Sequence, residues 1–195
     1  DDDSLDTDTG CNGAAQFGIT VQRTGGGDRG FEFSSINRAP CSTPKIANFT
    51  VVMNARAGTG IELNSGTQSS FYNSVVTRAA GGTGAGQSCL NVTGTGTAGT
   101  FHSVFFACPV AFNSDAARTA FLAGTNNVAE GTSTLANVFV NGANENAVTA
   151  YANLAGASAF LQNVTYIGAV KDANDNWWKN WTCSLPGQPA CAEAP

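Results

Sequence analysis

Five of the first eight residues are aspartates: Asp1, Asp2, Asp3, Asp6 and Asp8. Crowded carboxylates suit a hard cation, because calcium takes several carboxylate and carbonyl oxygens. This segment is the candidate metal site, and calcium the candidate cofactor. The spacing is not that of an EF-hand loop, and a solvated acidic edge explains the same residues. Glu32 and Glu62 are the next acids of interest, with Arg29, Arg56 and Lys45 as the basic side chains that could act beside them. His102 is the single histidine. As a general base it would need a carboxylate partner and a nucleophile, and the sequence places neither nearby. Trp177, Trp178 and Trp181 crowd one short stretch. They suit a cap over a hydrophobic core, or a platform on which sugar rings stack. The six cysteines contain no Cys-x-x-Cys pair. With one histidine, that argues against a zinc or iron–sulfur centre.

The elements that must position these residues recur along the chain. One pattern is a small or apolar residue, then asparagine, then an apolar β-rich run. It reads Ala47-Asn48-Phe49-Thr50-Val51-Val52 and Tyr72-Asn73-Ser74-Val75-Val76. It returns around His102, at Ala136-Asn137-Val138-Phe139-Val140 and at Gln162-Asn163-Val164-Thr165-Tyr166-Ile167. Gln16-Phe17-Gly18-Ile19-Thr20-Val21 is a relative without the asparagine. A second pattern interleaves with it: Leu5-Asp6-Thr7, Phe31-Glu32-Phe33, Ile61-Glu62-Leu63, Leu90-Asn91-Val92 and Phe112-Asn113-Ser114. Alternation with period two marks half-buried strands.

Two strands every ~25–30 residues, stacked coil on coil, predict an all-β fold. The expected form is a right-handed parallel β-helix of about five to six coils. It forms a single domain over 1–195, with 165–195 as a C-terminal cap holding the tryptophans and a disulfide loop. Asn48, Asn73, His102, Asn137 and Asn163 should form one ladder, their amides bonding from coil to coil. The Asp6, Glu32, Glu62, Asn91 and Asn113 column should face outward. Stacked like charges about 5 Å apart repel, so a cation between Glu32 and Glu62 is one way to relieve it. Ser114 should cap a helix over Asp115–Leu122 that Gly124 ends. A second short helix is expected within Asn146 to Ala155.

Six cysteines allow 15 pairings. Stacking of adjacent coils predicts Cys11–Cys41 and Cys89–Cys108, and Cys183–Cys191 should close a local loop. Three disulfides imply an oxidising compartment, so the protein should lie outside the cell or on its outer surface. No cap is evident before the first strand. An uncovered coil would leave unpaired backbone groups that template another chain. Either coils precede Asp1 in a longer protein, or copies associate through their coil ends, head to tail into filaments.

Composition excludes several classes. Charged residues are 12% of 195, about half the usual share. This argues against a coiled coil or helical bundle and against a highly charged disordered tail. The net charge is −5 with only nine scattered Lys and Arg, which argues against a nucleic-acid partner. No apolar run approaches the ~18 residues of a transmembrane segment. The Gly81–Gly86 run lacks the Lys-Ser/Thr of a phosphate loop.

Three stretches together resemble a known group. They are Gly27-Asp28-Arg29-Gly30-Phe31-Glu32 with Pro44 to Thr50, Thr59 to Leu63 with Phe71 to Thr77, and Tyr166 to Val170 with Trp177 and Trp181-Thr182. They are similar to bacterial secreted or outer-surface parallel β-helix proteins, often predicted lipoproteins, whose biochemical role is not established. The resemblance implies the fold, a surface location and a C-terminal portion of a longer chain. It assigns no catalytic residue. The expectation is a structural surface protein without catalytic activity, self-associating or beside an outer-membrane receptor. The alternative is a glycan-binding or polysaccharide-lyase-like β-helix using calcium, with Glu32, Glu62, Arg29, Arg56 and Lys45 as its site.

Overall fold

The computed structural model describes residues 3–36, 38–56, 58–78, 87–180, 182–184 and 190. Its strands are parallel and fall into two sheets. The first holds β1 (Leu5–Thr7), β3 (Phe31–Phe33), β5 (Ile61–Leu63), β8 (Ser88–Val92) and β11 (Val110–Phe112), stacked in that order. The second holds β2 (Ala14–Val21), β4 (Lys45–Met53), β6 (Gln68–Tyr72), β7 (Val75–Arg78), β9 (Ala98–His102) and β10 (Phe105–Ala107). Here β4 pairs β2 on one side and both β6 and β7 on the other, β9 follows β6, and β10 follows β7. The chain alternates between the sheets, so each circuit adds a rung to both. This is the all-β parallel solenoid that the repeat predicts.

Why does the repeat contain an asparagine? Along β4, Ile46, Phe49, Val51 and Met53 all join the main core. Plain alternation cannot put both 46 and 49 inside. Asn48 resolves this by adopting φ +53°, in the left-handed region. The kink resets the alternation, and asparagine tolerates that conformation better than most residues. Register places Phe17, Asn48, Asn73 and Ser103 side by side at this bend. All four have positive φ.

The interior is a file of phenylalanine rings. Phe33 stacks on Phe71 at 5.7 Å, and Phe71 on Phe101 at 5.3 Å with planes 7° apart. Phe101 then meets Phe121 at 5.6 Å. Phe71 and Phe101 are register partners on parallel strands, which is why these two rings stack, while Phe33 reaches Phe71 across the core from the other sheet. Gly60 allows the corner where the two sheets meet: a Cβ there would lie 2.6 Å from Val76 Cγ1 and 2.8 Å from Cys89 O. Cys89 and Cys108 form the expected disulfide. Cys183 is also disulfide-bonded, while Cys191 lies outside the described residues.

Helix α1 (Asp115–Leu122) forms where predicted, with the Ser114 hydroxyl accepting from Ala117 N–H at 3.1 Å. It buries Ala117 and Phe121 and closes one end of the core. Beyond it the chain leaves the solenoid and wraps the outer face of the second sheet. Phe139, Val140, Ala169, Val170 and Trp178 pack on Ile19 and Val21. Leu154 and Leu161 pack on Ala47 and Tyr72. Ile167 packs on Val75 and Phe105. The strands expected at Ala136–Val140 and Gln162–Ile167 are therefore absent. In their place are isolated bridges, Ala136 to Val140 and Val140 to Val170. Those segments carry apolar residues because they cover a sheet, not because they extend one. The helix expected within Asn146 to Ala155 is likewise replaced by α2 (Ala143–Asn146) and α3 (Leu154–Ala157). Between them Thr149 O accepts from Ser103 Oγ at 2.8 Å and Tyr151 N–H donates to Asn73 Oδ1 at 2.7 Å.

Candidate functional site

The acidic column exists. Register sets Asp6 against Glu32, Glu32 against Glu62, and Glu62 against Asn91. Asn113 follows, its N–H donating to Leu90 O at 3.0 Å. The repulsion expected between stacked carboxylates is relieved by protein donors. Asn91 Nδ2 donates to both Glu62 oxygens at 3.1 Å. Asn64 Nδ2 donates to Glu32 at 3.2 Å, and Arg29 to Glu32 at 3.0 Å and Asp28 at 2.6 Å. Burial would lower the Arg29 guanidinium, but Glu32, Asp28, Asp3 and Glu62 together hold it above its ordinary value.

Glu62 is only 8% exposed. Burial pushes its carboxyl up, against the opposing pull of Asn91 and Arg29. A carboxyl whose folded pKa is raised contributes most below its unfolded pKa, about 4.3, and loses that contribution as pH rises through the folded value. Glu62→Gln keeps an acceptor for Asn91. It should be more stable than the parent at neutral pH, by about 1 kcal/mol, with the difference gone near pH 3. Paired denaturant titrations at the two pH values measure this.

The other sequence-predicted residues scatter. Asp3 accepts from Arg29 N–H at 2.9 Å and Asp8 from Ser34 Oγ at 2.7 Å. They brace β3 and its flank and do not converge on a point, while Asp1 and Asp2 lie outside the described residues. Among the described residues no group of three or more metal-ligating side chains could hold an ion. Of the basic candidates only Arg29 joins Glu32 and Glu62. Lys45 opens β4 in the other sheet, and Arg56 sits in a loop with its N–H on Asn54 Oδ1. Two grooves of about 490 Å³ lie elsewhere, one beside Val110, Asn113 and Arg118, the other along Arg23–Asp28. The Gly81–Gly86 run is outside the described residues.

The expected ladder is corrected. Asn48 and Asn73 are in register, but the third member is Ser103, not His102, which pairs with Tyr72. Asn137 and Asn163 lie on the wrap. The two bend asparagines bond outward to that wrap, not to each other. Asn48 Nδ2 donates to Tyr166 O at 3.0 Å and Gly168 O at 3.3 Å. Asn73 takes Tyr151 N–H at 2.7 Å and donates to Tyr151 O at 3.1 Å. Gln16 treats Gln162 in the same way, at 2.7 and 2.8 Å. Gln16 and Asn73 thus each offer the donor–acceptor pair of a peptide unit, whereas Asn48 Oδ1 accepts from Gln16 Nε2 on the neighbouring coil at 3.0 Å. Gly168 sits in the clasp with φ +72°, where a Cβ would come 2.6 Å from Asn141 Oδ1.

His102 lies between two tyrosines, 5.9 Å from Tyr72 and 4.9 Å from Tyr151. Its Nδ1 accepts Thr125 N–H at 3.2 Å, so in the neutral ring the proton sits on Nε2. Burial lowers its pKa. A histidine buried neutral supports folding fully above its unfolded pKa of about 6.5 and loses that support as pH falls from there through its lower folded value. The imidazole signal in a proton NMR titration should therefore have a midpoint below 6.5, unambiguously, since the chain has one histidine. The Thr125 hydroxyl lies 2.9 Å from the same Nδ1, and among the described residues no carboxylate hydrogen-bonds this ring.

Cys11 and Cys41 are free thiols and not the expected pair. Cys41 Sγ turns instead to Gly66 O at 2.9 Å. The tryptophans do not form one platform. Trp178 is buried edge-on against Phe139 at 4.9 Å, while Trp177 is 40% exposed and donates to Ala169 O. Trp181 lies outside the described residues. Trp178 packs on Ile19 and Val21 of β2, and the Trp177 ring lies 6.4 Å from Phe17. The sequence reading missed Tyr72, Tyr151 and Gln16. Only the chain's return to the second sheet brings them into play, and no local motif marks that.

No helix among the described residues is long and apolar enough to cross a membrane. No protein-family model, curated protein or solved structure matches the chain.

Proposed function

We propose that the protein is a non-catalytic, extracellular or cell-surface scaffold, built as a right-handed parallel β-helix and associating with copies of itself. One observation carries this reading. The polar side chains whose types suggested chemistry are spent on holding the fold: Asn91 and Arg29 on the carboxylate column, Asn48 and Asn73 on the wrap. None converges on a cleft. The Cys89–Cys108 disulfide supports an oxidising location. An outer-membrane receptor or a glycan remains the partner class that a surface location suggests.

A second reading has its own support. Arg29 hydrogen-bonds Glu32 beside the buried Glu62, which brings a base and acids together as a polysaccharide lyase would require. The test is incubation of the purified chain with a panel of acidic and neutral polysaccharides, with and without calcium. No release of new chain ends is the expected result. Turnover that disappears in Glu62→Gln would overturn the scaffold reading.

A further inference from the structure

Two segments that follow α1 meet beside Ser103. Its N–H donates to Thr125 O and its hydroxyl to Thr149 O, each at 2.8 Å. Val128 then bridges Phe105, and Val148 packs in the same apolar cluster. These residues line a groove of about 440 Å³. A second groove, of about 370 Å³, shares residues 147–149 and runs on to Thr165. Both are built from residues 105–165, in the interior of the chain.

The chemistry of these walls is narrow. No charged side chain lines either groove. The apolar part of the first is Phe105, Val128 and Val148, which belong to one cluster. The polar part is amides and hydroxyls, groups that both donate and accept. Asn127 is spent on the fold: its amide bonds Phe101 O, Phe121 O and Val104 N–H. The exposed Asn126, Thr132 and Thr149 are different, for their side chains have no hydrogen-bond partner among the described residues. Aromatic surface adjoins them. His102 accepts the N–H of Thr125, the neighbour of Asn126, and Tyr151 lies two residues from Thr149. The two rings are 4.9 Å apart and each is half-buried.

Binding sites for small molecules combine apolar walls with a few placed polar groups. Here the polar groups are neutral, so a phosphate, a uronate or a peptide terminus would meet no counter-charge. A ligand with hydroxyls, C–H faces and no charge matches what the walls offer. We propose that the larger groove binds a neutral oligosaccharide. A sugar ring lies on Val128 and Val148, its hydroxyls meet Asn126, Thr132 and Thr149, and the chain continues past His102 and Tyr151. This rests on the surface-scaffold reading above, in which a glycan is a partner class, and gives that partner a site and a charge type. The groove is open and its polar contacts few, so Kd should be on the order of 1 mM.

NMR titration of the full chain tests this, with gluco-, xylo- and manno-oligosaccharides as neutral probes and oligogalacturonate as the charged control. The imidazole of the single histidine and the amides of Asn126 and Thr149 report on the groove. Saturable shifts at all three from at least one neutral probe, and none from oligogalacturonate, are the expected result. Thr149→Val exchanges the hydroxyl for a methyl of similar size. Asn126→Gly removes the amide at a position of φ +56°, which glycine accepts. Each should weaken binding about three- to tenfold with an unchanged melting temperature. No saturable shift from any neutral probe at about twenty times that Kd would sink the proposal. So would affinity indifferent to both variants, or equal binding of the charged control. Absence of binding would leave the scaffold reading standing. Binding followed by cleavage of the probe would defeat the scaffold reading and keep the site.

Discussion

Phe101→Ala should destabilise the protein by about 4 kcal/mol, the largest effect of any single substitution considered. Phe101 is fully buried between Phe71 on the rung before it and Phe121 of α1. Truncation removes both ring contacts and opens a cavity. The cavity cannot collapse easily, because the rungs on either side are fixed about 4.8 Å apart by the ladder. Phe101→Leu retains most of the volume and should cost roughly half as much. Denaturant unfolding of the two variants checks the ratio. The effect should also be spatially graded. Because α1 docks through Phe121, its amides should lose exchange protection before those of β3 and β5 do. Equal loss everywhere would mean that the cap and the solenoid unfold as one unit.

Asn73→Ala should cost about 3 kcal/mol, through two separable causes. Alanine at φ +47° is strained by about 1 kcal/mol or more. Loss of the amide also leaves Tyr151 N–H and C=O without their partners, at about 1–3 kcal/mol for groups that stay buried. Asn73→Gly separates the terms, since glycine accepts the left-handed bend and lacks only the amide. It should recover the backbone share alone. Asn73→Asp retains an acceptor for Tyr151 N–H and loses the donor to Tyr151 O, and should fall between. The structural readout is the wrap. Limited proteolysis near Tyr151 should accelerate in Asn73→Ala and far less in Asn73→Gly if the bend itself is the main contribution. Equal acceleration would assign the docking to the amide.

Much of the solenoid was legible because its signal is local and repeated. Phe31-Glu32-Phe33 and Ile61-Glu62-Leu63 share one alternation, and repetition at fixed spacing is enough to set their register. The Ser114 cap and the Cys89–Cys108 staple were legible for the same reason, since each follows from short-range chemistry or from neighbouring coils. His102 shows where such reasoning slips. Read by eye it falls beside Asn73, yet the hydrogen-bond ladder moves it one place, beside Tyr72. A one-residue shift reverses which face a strand residue occupies, so that single step turns a supposed interior ladder member into an outward ring between tyrosines.

The sequence by itself determined the repeating rungs and the polar column from Asp6 to Asn113. These depend on side-chain alternation and on contacts between coils adjacent in the chain. Tertiary structure alone decided the wrap. Segments such as Ala136–Val140 and Gln162–Ile167 have the composition of further rungs, and nothing within them says that they will cover the second sheet. That choice depends on contacts more than a hundred residues apart, such as Asn48 with Tyr166. It turns the asparagines into clasps on the wrap and separates Trp177 from Trp178. Local propensity cannot encode it, because the free energy that selects it comes from burying a face that exists only once the solenoid has formed.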